Sequence, residues 1–72
     1  MKLYSVTVTA TCPKEKQHLW KEKESEGYIV SCHGDTVWLQ SGCQTADDFK
    51  KLDEFVSQYD DRKVVVREVG DV

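Results

Sequence analysis

The sequence predicts a small α+β domain, and three observations carry that prediction. Apolar residues alternate with period two near the start and in the middle of the 72-residue chain, and a valine-rich run stands near its end, each the signature of a strand. Between the last two of these runs, Ala46, Phe49, Leu52, Val56 and Tyr59 recur at three- and four-residue spacing, the signature of a helix. Gly34-Asp35 separates two β-rich runs as a two-residue hairpin loop.

Seventy-two residues make one domain, residues 1–72, with a marginal core. A chain of this size buries only about 60% of its unfolded surface. Small scaffolds therefore often lean on a disulfide, a metal or a second subunit.

The first strand is expected over Lys2–Thr11. Tyr4, Val6, Val8 and Ala10 share its apolar face; Leu3, Ser5, Thr7 and Thr9 share the other. Pro13–Ser25 favours helix, with Pro13 at the first helical position, Glu15 in the first turn and Gly27 as terminator. Only Leu19 and Trp20 are strongly apolar there, so the rival expectation is a strand over residues 18–23 in a β-meander. In the hairpin, Tyr28 to Ser41, the turn pairs His33 with Thr36, Cys32 with Val37, Ser31 with Trp38 and Val30 with Leu39. Tyr28, Val30, Cys32, Val37 and Leu39 then face the core, and Trp38 falls on the opposite side.

The next helix is expected over Thr45–Gln58, with Thr45 and Asp48 at capping-box spacing and Asp47 and Asp48 at the positive end of its dipole. Lys63–Val69 is the last strand and Gly70–Val72 a tail. The order strand, helix, strand, strand, helix, strand is that of a ferredoxin-like β-α-β-β-α-β fold. Such a fold is a four-stranded antiparallel sheet with both helices on one face and the other face open.

Composition narrows the function. The net charge is −3, with no basic stripe, which argues against nucleic acid as partner. No apolar run approaches the ~20 residues that span a bilayer, so no membrane role is expected. The N-terminus alternates like a strand and lacks a signal-peptide core. Three cysteines without such a signal point to a reducing, cytoplasmic setting.

Catalytic and metal signatures are missing from the sequence, so the expectation is a binding module that is not an enzyme and uses no cofactor. Cys12, Cys32, His33, Cys43 and His18 include no Cys-x-x-Cys or Cys-x-x-His pair. Cys32 and His33 are strand neighbours and point to opposite faces. The four glycines are isolated, so no phosphate loop exists. Copper-chaperone-like domains carry two cysteines in the first strand-to-helix loop; Thr11-Cys12-Pro13-Lys14 supplies one. Acylphosphatase-type enzymes hold phosphate with an arginine in that loop, and no arginine precedes Arg62. Taking the first and third strands as parallel neighbours places Cys12 and Cys43 together at one end, ahead of helix N-termini, with His33 at the other. That pair is one alternative function, a thiol or metal site.

Trp38 carries the leading expectation. With Leu3, Ile29 and Val65 it forms an apolar patch on the open face, flanked by Ser5, Thr7, Ser31, Gln40 and Arg67. An apolar patch with Trp and Arg matches protein interfaces. The reading is a protein-binding module of regulator, adaptor or inhibitor type, of the kind phages and mobile elements carry, with homodimer formation a further expectation. The bland counterpart is that the tail or Trp20 covers Trp38. A second alternative is single-stranded nucleic-acid binding through Trp38, Tyr28 or His33. Asp47, Asp48, Asp53, Glu54, Asp60 and Asp61 form an acidic surface, interrupted by Lys50, Lys51, Arg62 and Lys63, which reads as a solvated helix face.

Overall fold

In a computed structural model describing residues 1–72, the first alternating run is strand β1, Lys2–Thr11. Val6, Val8 and Ala10 are buried on one side, while Leu3, Ser5, Thr7 and Thr9 lie partly buried on the other. Strands β2 (Ile29–His33) and β3 (Thr36–Gln44) form the hairpin. Their pairing is His33 to Thr36, Cys32 to Val37, Ser31 to Trp38 and Val30 to Leu39, as the two-residue loop dictates. Gly34 has φ +62° and Asp35 does not have positive φ, the pattern of a type II′ turn, whose twist suits the flanking strands.

Pro13–Ser25 is helical but is not one helix. It breaks into a 3-10 turn (Lys14–Lys16), one α-turn, α1 (His18–Lys21), and a second 3-10 stretch (Glu22–Glu26). Pro13 is extended, with ψ 146°, and sits just outside the first turn, not within it. The rival strand over residues 18–23 does not form. The reason is the thin apolar face: Gln17 and Trp20 are buried, and Leu19 stays exposed. Two anchors hold one turn against the sheet, and the polar flanks wind less regularly. Gly27 ends the segment at φ +96°. Its N–H donates to Glu24 O and the Tyr28 N–H to Lys23 O, the two bonds of a Schellman motif.

Helix α2 spans Ala46–Val56. Thr45 caps it, accepting from the Asp48 N–H at 3.4 Å and donating its hydroxyl to Asp48 Oδ2 at 2.9 Å. The shorter Asp thus turns back onto the Thr45 hydroxyl, where a capping-box Glu reaches the cap backbone. Leu52 and Val56 are buried, with Phe49, Phe55 and Tyr59 partly so. Ala46, expected on that face, is exposed at the first position of the helix.

Strand β4 runs Lys63–Asp71, so Gly70 and Asp71 extend the strand and do not form a tail. They pair with Leu3 and Lys2, and the Val72 N–H donates to Met1 O. The sheet order is β2-β3-β1-β4 with every neighbour antiparallel. The molecule is therefore a small α+β fold with an open four-stranded antiparallel sheet and two helical segments. The core joins Val6, Val8, Ala10, Val37 and Leu39 of the sheet to Trp20, Leu52 and Val56 of the helical layer. No helix is long and apolar enough to cross a membrane.

Candidate functional site: the open sheet face

Strand register decides which side chains meet on the uncovered face. One cross-strand row runs Ile29, Gln40, Thr7, Val65. The adjacent row runs Ser31, Trp38, Thr9, Lys63. Arg67 stands opposite Ser5, and Leu3 lies beyond, opposite Gly70. Ile29 and Val65 are 63% and 55% exposed at the two ends of their row, while Trp38 is partly buried between Ser31 and Thr9. Nearest neighbours on one face lie about 5 Å apart across strands, so Trp38 is within reach of both rows. The residues expected from alternation thus share one face, but the apolar ones are separated by Gln40 and Thr7.

The tail and Trp20 leave Trp38 uncovered. Trp20 is fully buried on the helical side, edge-on to Phe55 and Tyr59 with ring centroids 5.3 Å from each. Its Nε1–H donates to the Tyr59 hydroxyl at 3.0 Å. The C-terminal residues continue β4 alongside β1. Tyr28 is buried on the helical side, which removes it from any aromatic platform with Trp38. Burial pushes its phenol up, opposed by the Gln44 amide beside it. His33 is exposed on the open face, opposite Thr36.

The cysteine geometry differs from expectation. Strands β1 and β3 are antiparallel, so Cys12 follows the Thr11–Thr36 end of the sheet, while Cys43 precedes Gln44, which pairs with Tyr4 at the other end. Cys12 therefore shares its end with His33 and the hairpin turn, and not with Cys43. Its N–H donates to Asp35 O at 2.7 Å. All three cysteines are free thiols: Cys12 buried, Cys32 partly buried and Cys43 exposed. Cys12 Sγ lies 3.7 Å from the Tyr59 hydroxyl and 3.6 Å from Pro13 O. No three His, Cys, Asp or Glu side chains converge with metal-site geometry.

One residue the sequence reading passed over organises this end. Gln17 is buried, and its Nε2 donates to Cys12 O at 3.0 Å and Gly34 O at 2.7 Å. It ties the start of the helical segment to both the end of β1 and the hairpin turn. A polar residue in a charged, helix-forming run gives no sequence signal for such a role.

The acidic residues are spread over α2 and the loop after it and are exposed. The three ion pairs of the molecule, Met1–Asp71, Lys2–Glu68 and Lys23–Glu26, involve none of them. Asp61 has a structural partner: its Oδ1 accepts the Thr11 N–H at 3.2 Å, and hydrogen bonds from Thr11 hold its carboxyl below the ordinary range. A cavity of 270 Å³ lies between the helical layer and the end of β3, lined by Lys23, Tyr28, Cys43, Gln44, Asp48 and Lys51. Gln44 Oε1 at its wall is buried without a hydrogen-bond partner. Its walls mix cations, carboxylates and amide, unlike the apolar lining of a typical ligand pocket. Compared with protein families, curated proteins and solved structures, the chain matches none.

Proposed function

We propose that this protein is a small protein-binding module that docks a protein partner through its open sheet face around Trp38. One observation carries the reading: the register gathers Trp38, Ile29 and Val65 on the face opposite both helical segments, with Gln40, Thr7, Ser31 and Arg67 among them. An aromatic anchor within a polar surround is the composition of an interaction hot spot. The net charge of −3 and the burial of Tyr28 favour a protein over a nucleic acid on this face. The element order and the strand order β2-β3-β1-β4 support the finer reading of the fold as ferredoxin-like.

The test is affinity capture from the native host with purified, folded baits. Wild type and Asp47→Asn, altered on the far side, are expected to retain one common partner, and Trp38→Ala and Ile29→Ala to lose it. Equal capture by all four baits overturns the proposal.

A further inference from the structure

Strand β4 is the least protected part of the sheet. It is an edge strand of nine residues, against five in the other edge, β2. Beyond β1 it has no neighbour, so the peptide groups on its outer side are unpaired. Such an edge is a template for another strand. Past Val64, which packs against the core, it is also open on both faces. Val65, on the open face opposite Thr7, is 55% exposed. Val66, on the helical side opposite the fully buried Val6, is still 42% exposed, because the helical layer stops short of β4. The usual protections, a short edge, a proline or a covering helix, are missing, and only the charges and an irregularity near Val69 limit pairing.

We propose that β4 pairs antiparallel with β4 of a second copy about a twofold axis at Val66, making a continuous eight-stranded sheet. The sequence of the strand selects both occupant and register. A twofold between antiparallel strands stands perpendicular to the sheet, so opposed residues must lie on the same face, and the sum of their numbers is even. Centring on Val65 sets Lys63 against Arg67 twice. Centring on Arg67 sets Arg against Arg, and centring on Glu68 sets Glu against Glu. Like charges directly opposite destabilise a sheet. Centring on Val64 leaves a ladder of only three β4 residues, Lys63 to Val65, and centring on Val69 or Gly70 puts the axis on the irregular stretch of the strand and leaves at most five. Centring on Val66 opposes Val66 to its own copy, Val65 to Arg67, Val64 to Glu68 and Lys63 to Val69, with no like pair. The Arg67 stem then covers Val65 on the open face, and the two Val66 side chains cover each other on the helical side. Both helical layers fall on one side of the joined sheet and both open faces on the other. The inference stands apart from the partner proposed for Trp38.

Edge pairing alone makes a small interface, so sedimentation is run over a wide concentration series. Wild type is expected to pass from one to two copies and no further. Val66→Lys and Val66→Glu, each placing like charges face to face on the axis, are expected to weaken self-association at least about 10-fold. Mixing the two variants in equal amounts is expected to restore a mixed dimer, which an unfolded variant cannot do. In the wild type, hydrogen exchange of residues 64–68 is expected to slow as concentration rises. A monomer at every concentration, growth beyond two copies, or exchange independent of concentration overturns the inference. So does a Val66→Lys plus Val66→Glu mixture that stays monomeric.

Discussion

The two tryptophans sit on opposite faces of one sheet and have opposite surroundings. Trp20 is fully buried, its ring edge-on to Phe55 and Tyr59 and its N–H bonded to the Tyr59 hydroxyl. Trp38 is partly buried on a flat strand surface between Ser31 and Thr9, with no aromatic partner and no side-chain hydrogen bond of its own. The first has every contact that a core indole can use. The second has contacts in the plane of the sheet and none above it. The difference separates residues that make the fold from residues that the fold leaves free.

The largest test of that contrast is truncation. Trp20→Ala removes the centre of the aromatic cluster and is expected to cost about 3–5 kcal/mol by denaturant unfolding. In a domain this small that is a large part of the total stability. Trp38→Ala is expected to cost less, about 1–2 kcal/mol, since Trp38 is only partly buried and keeps some of its surface in water. Equal costs would mean that Trp38 is a core residue.

A middle-sized effect falls on Tyr59. Tyr59→Phe leaves the buried Trp20 N–H without its acceptor, for an expected loss of about 1–3 kcal/mol at neutral pH. The pH dependence has a definite sign. Burial raises the Tyr59 phenol above its ordinary value, more than the Trp20 N–H lowers it, and contact with Cys12 adds in the same direction. The folded state therefore favours the neutral phenol. That contribution is complete below about pH 10, the unfolded value, and is lost as pH rises from there through the higher folded value. Tyr28 acts with the same sign. Tyr59→Phe should thus lose less stability than wild type on going above about pH 10, as chemical denaturation across a pH series can show. A steeper alkaline loss in the variant would contradict the direction given for Tyr59.

The smallest expected effect lies on the open face. Ile29→Thr replaces an exposed side chain by another β-branched residue and is expected to stay within about 0.5 kcal/mol of wild type. A thermal melt measures this directly. A larger loss would show that the open face contributes to folding.

The hairpin was legible because one turn sets its whole register: once Gly34-Asp35 is the loop, every pair to Val30–Leu39 follows. Helix α2 was legible because Leu52 and Val56 keep the helical period with a threonine cap ahead of them. Two features were not legible, each for a nonlocal reason. The breakup of residues 14–26 depends on how little of that face the sheet can hold. The role of Gln17 depends on two carbonyls, Cys12 and Gly34, brought to it from elsewhere in the chain. The separation of Cys12 from Cys43, by contrast, is implicit in an antiparallel sheet, where β1 and β3 run in opposite directions and leave the loops that follow them at opposite ends. The shared face of Trp38, Ile29 and Val65 needed only the hairpin and the parity of β1 and β4, whereas the spacing of its apolar members by Gln40 and Thr7 needed the register.

The pairing of β1 slips by one residue on each side within Leu3 to Val6: against β3 between Tyr4 and Val6, and against β4 between Leu3 and Tyr4. The first slip adds a residue to β3 and the second adds one to β4, which bends those strands and tightens the local twist. The open face is therefore curved at the Leu3 end and flatter across the rows of Ile29 and Trp38. A rigid, planar surface laid on the flatter rows would lose contact before it reached Leu3. For the docking proposed above, shape as well as chemistry would then select the partner: a ridge or helix lying across the Trp38 rows, or a flexible segment that follows the bend.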